Sequence, residues 1–327
     1  MPLGPHELIF VIVIPALAAL VILFIARRAW LRRAVDESKT VGAWGGPLAV
    51  GIAFLIAFPT IHGTLNVFPP KESMSYLLLA VILTAIGGVL DSRSRGAVGL
   101  RIAGVFVLAC VCTAGVLRFK FRSDWTPSHA STMIIAIGAL CLAWWFALDS
   151  AEQDPASGSA MPWLTWMICS TLAAVLMMNG SIKYGQLALS LAAAAGAGLL
   201  LSLVAKRRFF LRGTAVVFAI IPTLLIISAY YLFDLKPLYV GLLLSAPIAI
   251  ALGRIIPTKH LRSSIRTLLR IAPTALFMAV ILTIAIHDYR KTQSQSDPND
   301  PYGSLPELPR HPSFRGLYQT PPPAGVA

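Results

Sequence analysis

The amino-acid sequence predicts an all-α, polytopic transmembrane bundle of about ten helices, and three observations carry that expectation. Of its 327 residues 57% are hydrophobic and 13% charged, whereas an average soluble domain is about half apolar and about a quarter charged. The apolar residues gather into blocks of roughly 18 to 22 residues, the length that crosses about 30 Å of hydrocarbon as a helix. The basic residues collect in short turns between those blocks. The net charge of +13 and the pI near 10.0 therefore describe membrane topology and argue against a nucleic-acid partner.

The first block, about 8–25, has no positive charge before it, and Arg27, Arg28, Arg32 and Arg33 follow it. That order is the reverse of a cleavable secretory signal, so the block is expected to remain as an anchor with the N-terminus outside. The remaining spans are expected at about 44–61, 75–90, 98–117, 131–148, 161–178, 184–204, 213–233, 238–256 and 267–286. The third and fourth are separated only by the segment Asp91-Ser92-Arg93-Ser94-Arg95-Gly96, the kind of turn that joins antiparallel neighbours.

Alternation from an outside N-terminus predicts basic cytoplasmic turns after spans one, three, five, seven and nine, and all but the turn after span five obey. The turns that obey hold Arg27 to Lys39, Arg93 and Arg95, Lys206 to Arg212, and Arg254 to Arg266. Span five breaks the pattern. Arg118, Lys120 and Arg122 fall on its outer side, while the turn from Asp149 to Pro155 carries acids and no basic residue. Both flanking blocks are long enough to cross, and Trp144, Trp145, Trp163 and Trp166 are expected at interface depth around that turn.

Pro15, Pro59, Pro222, Pro247 and Pro273 fall within spans, each removing a backbone donor and kinking its helix. In span seven Ser190, Ala194 and Gly198 recur every four residues, a smooth face that admits another helix closely and places this span centrally. The four cysteines, Cys110, Cys112, Cys141 and Cys169, lie inside apolar blocks and are expected to act as small hydrophobes. The transmembrane domain is expected over 1–287. Residues 288–327, rich in Pro, Ser, Asp and Gln, are expected to form a disordered C-terminal tail on the outer side.

Ionisable groups are costly inside a bilayer, and no span carries a carboxylate or lysine at its centre. Arg101 and Arg270 lie about one turn inside their helices and are expected to snorkel to the cytoplasmic interface, where anionic headgroups are partners. By topology the remaining acids, Asp91, Asp149, Glu152 and Asp154, share the cytoplasmic face and are the candidate catalytic residues. Carboxylates there suit Mg²⁺ held jointly with substrate phosphate oxygens. The candidate lipid-phosphate contacts are Arg93, Arg95, Lys206, Arg207, Arg208, Lys259, His260 and Arg262. The simpler expectation is that the acids are solvated or paired with Arg93 and Arg95. The histidines are scattered without metal-ligand spacing, and no nucleophile elbow, Walker loop or dinucleotide fingerprint occurs, so no metal site is expected from the sequence alone.

Three segments carry a family resemblance. Lys39-Thr40 and Gly45-Gly46 precede span two and Gly88-Val89-Leu90-Asp91 closes span three, while Ala205 to Thr214 leads into span eight. With ten spans and both ends outside, the first 270 or so residues resemble the polyprenyl-phosphate phosphosugar-1-phosphate transferases. The resemblance implies a Mg²⁺-dependent reaction on a phosphorylated lipid. Departures fall at the metal ligands: Ser92 stands where the family has a second Asp, Arg212-Gly213 replaces Gly-Asp, and the His-rich loop is reduced to His260. The chain is thus expected to be a multi-pass protein of a bacterial inner membrane, a catalytically depleted relative of that family handling a phosphorylated lipid. A transporter or permease, and a non-catalytic envelope scaffold acting through the tail, are the alternatives.

Overall fold

The computed structural model describes residues 4–33, 44–63, 69–70, 72–94, 98–153, 160–205, 213–256 and 263–295. They are 92% helical and contain no strand. A short α1 (Pro5–Leu8) passes through a π-helical stretch, Ile9–Val13, into α2 (Ile14–Arg33). Then follow α3 (Gly45–His62), α4 (Ser73–Arg93), α5 (Val98–Val116) and the six-residue α6 (Arg118–Ser123). Next come α7 (Pro127–Gln153), α8 (Ala160–Met178), α9 (Ile182–Ala205) and α10 (Thr214–Phe233). The ninth span is made of α11 (Pro237–Leu244) and α12 (Ala246–Ile255), and α13 (Ser263–Gln295) ends the described chain. Ten of these segments are long and apolar enough to cross a membrane. Hydrophobic length made them legible, because a bilayer forces every backbone polar group into an internal hydrogen bond and so selects helices.

Two of the expected proline effects take a specific form. Pro15 has no N–H to offer the turn before it, and the helix widens there: the Ile14 N–H reaches back to the Ile9 carbonyl across a π turn. At Pro247 the ninth span breaks. Ser245 closes α11 and opens α12, and its hydroxyl donates to the Leu242 carbonyl at 2.8 Å, satisfying part of the backbone that the break exposes.

Residues 1–285 form one compact unit and 286–327 a second. Within the first, α10 occupies the middle, against α3, α4, α5, α7, α8 and α9. Of its membrane-spanning window 78% is buried, compared with 61% for α9 and 22% for α5. The small-residue stripe of α9 is indeed buried, with Ser190, Ala194 and Gly198 all inside, and α9 packs along α8, α3 and α2. The more central helix is nevertheless α10, whose residues from Thr214 to Ala229 are all buried among its neighbours. The chain enters it through a close crossing. Gly213 takes φ +96°, and a Cβ there would run into the Gly88 carbonyl of α4.

Trp144 and Trp145 are fully buried on the inner face of α7 and Trp163 is half-buried, whereas Trp166 is exposed. In the second unit the helix continues past His287 to Gln295, so the first residues of the expected tail are helical. Local bonds hold that polar extension without burial: the Thr292 hydroxyl donates to the Asp288 carbonyl and the Gln293 amide to the Tyr289 hydroxyl. The rest of the expected tail, 296–327, lies outside the described residues.

The packing also resolves the charge anomaly at span five. Asp149 near the end of α7 bonds to Arg101 in the first turn of α5, beside the end of α4. The turn after span five thus lies at the same end of the bundle as the turn after span three, as strict alternation requires, and both α7 and α8 are full-length spans. Its acid is neutralised from within the bundle. At the opposite end Lys120 pairs with Asp124 at 2.7 Å, and that ammonium, with the Ser123 hydroxyl, holds the Asp124 carboxyl below the usual carboxylate range. Single cysteines at the exposed positions Arg93 and Ser123, with the four native cysteines replaced, are expected to react with an impermeant maleimide from opposite sides of the membrane. Labelling of both from one side would contradict this topology.

Candidate functional site

The last turn of α4, the first turn of α5 and the last turns of α7 meet around one guanidinium. Arg101 approaches Asp91 side-on, with Nε 2.7 Å from Oδ1 and Nη2 3.1 Å from Oδ2. The same Nη2 donates to Asp149 Oδ1 at 2.9 Å. Trp145, one helical turn before Asp149 on the same face of α7, lies under the guanidinium with its ring centre 5.1 Å away. All three charged residues are more than nine-tenths buried, and Trp145 is completely so.

Helix electrostatics do not explain these positions. Asp91 and Asp149 stand near the C-terminal ends of their helices and Arg101 near the N-terminal end of α5, each on the wrong pole of the macrodipole. The charges are held instead by one another and by Trp145, with a further interaction at Asp149. A planar guanidinium satisfies a carboxylate through two parallel N–H groups, and stacking on indole covers its face, so arginine fits this position where lysine would not.

Among the sequence-selected acids the structure brings together Asp91 and Asp149. Glu152 belongs to the last turn of α7, with its side chain outside the described residues, and Asp154 lies outside them entirely. Of the candidate phosphate contacts, Arg93 is exposed at the end of α4 and takes no part in the cluster. Arg95, Lys206, Arg207, Arg208, Lys259, His260 and Arg262 lie outside the described residues. Gly213 abuts Gly88, one turn before Asp91, so the segment that leads into α10 ends beside the cluster.

Two expectations are corrected by this geometry. Arg101 does not snorkel to the interface: it turns inward, because two carboxylates on neighbouring helices offer a stronger partner than headgroups. The partner of Asp91 and Asp149 is accordingly Arg101, not Arg93. A sign of this was present in the sequence, since a short turn between Asp91 and Arg101 sets the end of one helix against the start of the next. The contribution of Trp145 had no such sign.

Among the described residues, Asp91, Ser92 and Asp149 do not fit a Mg²⁺ ion of the kind the family resemblance implies. Both Asp91 oxygens and Asp149 Oδ1 already accept from Arg101, and Asp149 has a further interaction as well. Ser92, in place of a second Asp, donates its hydroxyl to the Val89 carbonyl of its own helix at 2.7 Å. Among the described residues no three His, Cys, Asp or Glu side chains gather as a metal-binding group.

Ten helices among the described residues, each long and apolar enough to cross a membrane, define a multi-pass α-helical membrane protein. The chain matches no family model and no curated protein.

Proposed function

We propose that this membrane protein is a non-catalytic relative of the phosphosugar-1-phosphate transferases, in which a buried ion-pair cluster has taken over the place of a metal-dependent centre. The observation that carries the reading is Arg101 between Asp91 and Asp149: the positive charge that a bound cation would bring there is supplied by the chain itself. The cluster then serves to lock α4, α5 and α7 together at the end that the basic turns mark as cytoplasmic. Those turns are suited to the phosphate of a lipid at that surface, through point charges that need no metal. The reading includes a bacterial inner membrane as the location.

Purified protein supplied with Mg²⁺, a polyprenyl phosphate and a nucleotide sugar is expected to release no nucleoside monophosphate, while the polyprenyl phosphate alone raises its unfolding temperature. Release that disappears in Asp91→Asn would refute the non-catalytic reading. Absence of any lipid-induced stabilisation would remove its lipid-binding half.

One observation favours a second reading, a permease. The ninth span is broken at Ser245, and discontinuous helices supply the hinge and the free backbone groups of many transporters. Counterflow of a labelled solute into proteoliposomes, retained when residues 296–327 are removed, would favour this reading over both the lipid-binding protein and a scaffold acting through the tail.

A further inference from the structure

The end of the bundle opposite Asp91 carries a cleft of about 490 Å³, lined by Pro70, Ser73, Tyr76, Val116, Arg118 and Phe119. It lies where α4 begins and α5 ends. Ser73 ties the two helices there, its hydroxyl donating to the Val116 carbonyl at 2.9 Å. Gly115 leaves room for the Tyr76 ring, which a Cβ at that position would meet at 3.3 Å. Arg118, the first residue of α6, lies over that ring with its guanidinium carbon 5.8 Å from the centre, and its Nη1 donates to the Tyr76 hydroxyl.

The two described basic side chains of α6 differ in their counter-charges. Lys120 has Asp124 at 2.7 Å. Arg118 has no carboxylate partner among the described residues, and its one bond to Tyr76 leaves the other N–H groups of the guanidinium to donate. Tyr76, accepting from Arg118, keeps its own O–H proton for a second acceptor. A phosphate oxygen placed between them would therefore receive donors from both side chains. Phe119 and Phe121 meanwhile press α6 against the core, which holds Arg118 at the level where the spans end. Positive charge on this side also runs against the topological preference that the rest of the chain obeys, so it is not explained by membrane insertion.

We propose that this cleft binds the headgroup of an anionic glycerophospholipid, with the phosphate on Arg118 and Tyr76 and the glycerol against Pro70, Val116 and Phe119. The lipid is favoured over a soluble anion because the cation and the apolar walls sit together at a membrane surface, a place where basic pockets between spans take headgroups. This inference concerns the other end of the molecule and is independent of the proposed function.

The test is native mass spectrometry of the full chain in detergent, titrated with phosphatidylglycerol, with phosphatidylethanolamine and with sodium phosphate. Wild type is expected to prefer phosphatidylglycerol over phosphatidylethanolamine by about fivefold, because both offer the same phosphate but the ammonium of the ethanolamine headgroup offsets its charge at Arg118. Arg118→Gln should abolish the preference and Tyr76→Phe should reduce it, while Lys120→Gln should leave it unchanged. Because Arg118 is exposed, the variant is expected to elute as a monodisperse peak like wild type. An unchanged preference in Arg118→Gln, or an equal loss in Lys120→Gln, would overturn the site. Displacement of the lipid by sodium phosphate at equal concentration would overturn the lipid assignment in favour of a free phosphate.

Discussion

Replacing Arg101 by leucine is expected to destabilise the folded protein by about 3 to 5 kcal/mol, the cost of leaving buried charge uncompensated when one partner of a buried pair is removed. The substitution would leave Asp91 and Asp149 facing each other across a space from which water is largely excluded, with their two negative charges and only the remaining contacts of Asp149 to offset them. Arg101→Lys should recover only part of the loss, because an ammonium is a point donor and cannot span both oxygens of Asp91 while reaching Asp149. The triple variant Arg101→Met, Asp91→Leu, Asp149→Leu should recover most of it, since well-packed apolar residues can replace a buried ionic cluster at little cost. The measurement is thermal unfolding in detergent, followed by the loss of the monodisperse peak on size exclusion. A single Arg101→Leu variant as stable as wild type would mean that the cluster does not hold the three helices.

That outcome bears directly on function. A catalytic pair of aspartates would survive loss of Arg101 with altered activity, and stability would change little once a cation replaced the arginine. A structural clamp predicts the reverse: stability falls, and the apolar triple variant folds without any of the three charges. Adding Mg²⁺ to Arg101→Leu makes the two cases distinct, because recovery of the unfolding temperature would show that the aspartates accept an ion once the guanidinium is gone.

The spans and the cluster were legible to different degrees for a physical reason. Apolar length is a one-dimensional property, so the ten crossings could be read along the chain, down to the short turn between α4 and α5. Which face of a helix meets protein depends on its neighbours. Arg101 lies one turn inside its span, a depth at which snorkelling to headgroups is usual. Asp91 at the end of α4, together with Asp149 and Trp145 on one face of α7, draws it inward. Asp149 itself belonged to the one turn that violated the charge rule. That violation was the visible trace of the cluster, because an acidic cytoplasmic turn is tolerable when an arginine from another span neutralises it. The central helix followed the same division. The small residues of α9 indicated a close approach correctly, but nothing along the chain marked α10 as central: the first span is more apolar and only 28% buried, since lipid accepts an apolar face as readily as protein does.

A second large loss is expected from Gly213→Ala. The residue opens α10 in the left-handed region at φ +96°, where a side chain costs roughly 1 to 2 kcal/mol. The Cβ would also collide with the Gly88 carbonyl oxygen, and backbone cannot yield as a flexible side chain does. Overpacking of this kind adds roughly 1 to 3 kcal/mol, so the total is about 2 to 5 kcal/mol. Gly88→Ala tests the same crossing from the other side without the conformational penalty: its Cβ would be 2.5 Å from the Gly213 carbonyl and 2.9 Å from Pro47, so the crossing pins α3 as well as α4 and α10. The two losses should not add, since a bundle already forced apart at one residue has room for the second methyl. Additive unfolding temperatures for the double variant would show instead that the two glycines act independently. The consequence reaches the charge cluster, because Gly88 lies one turn before Asp91 on α4. Moving α4 away from α10 shifts Asp91 relative to Arg101. Gly88→Ala is therefore expected to weaken the energetic coupling between Asp91 and Asp149 in a double-mutant cycle, while a core truncation far from this crossing, such as Leu172→Ala in α8, leaves that coupling unchanged.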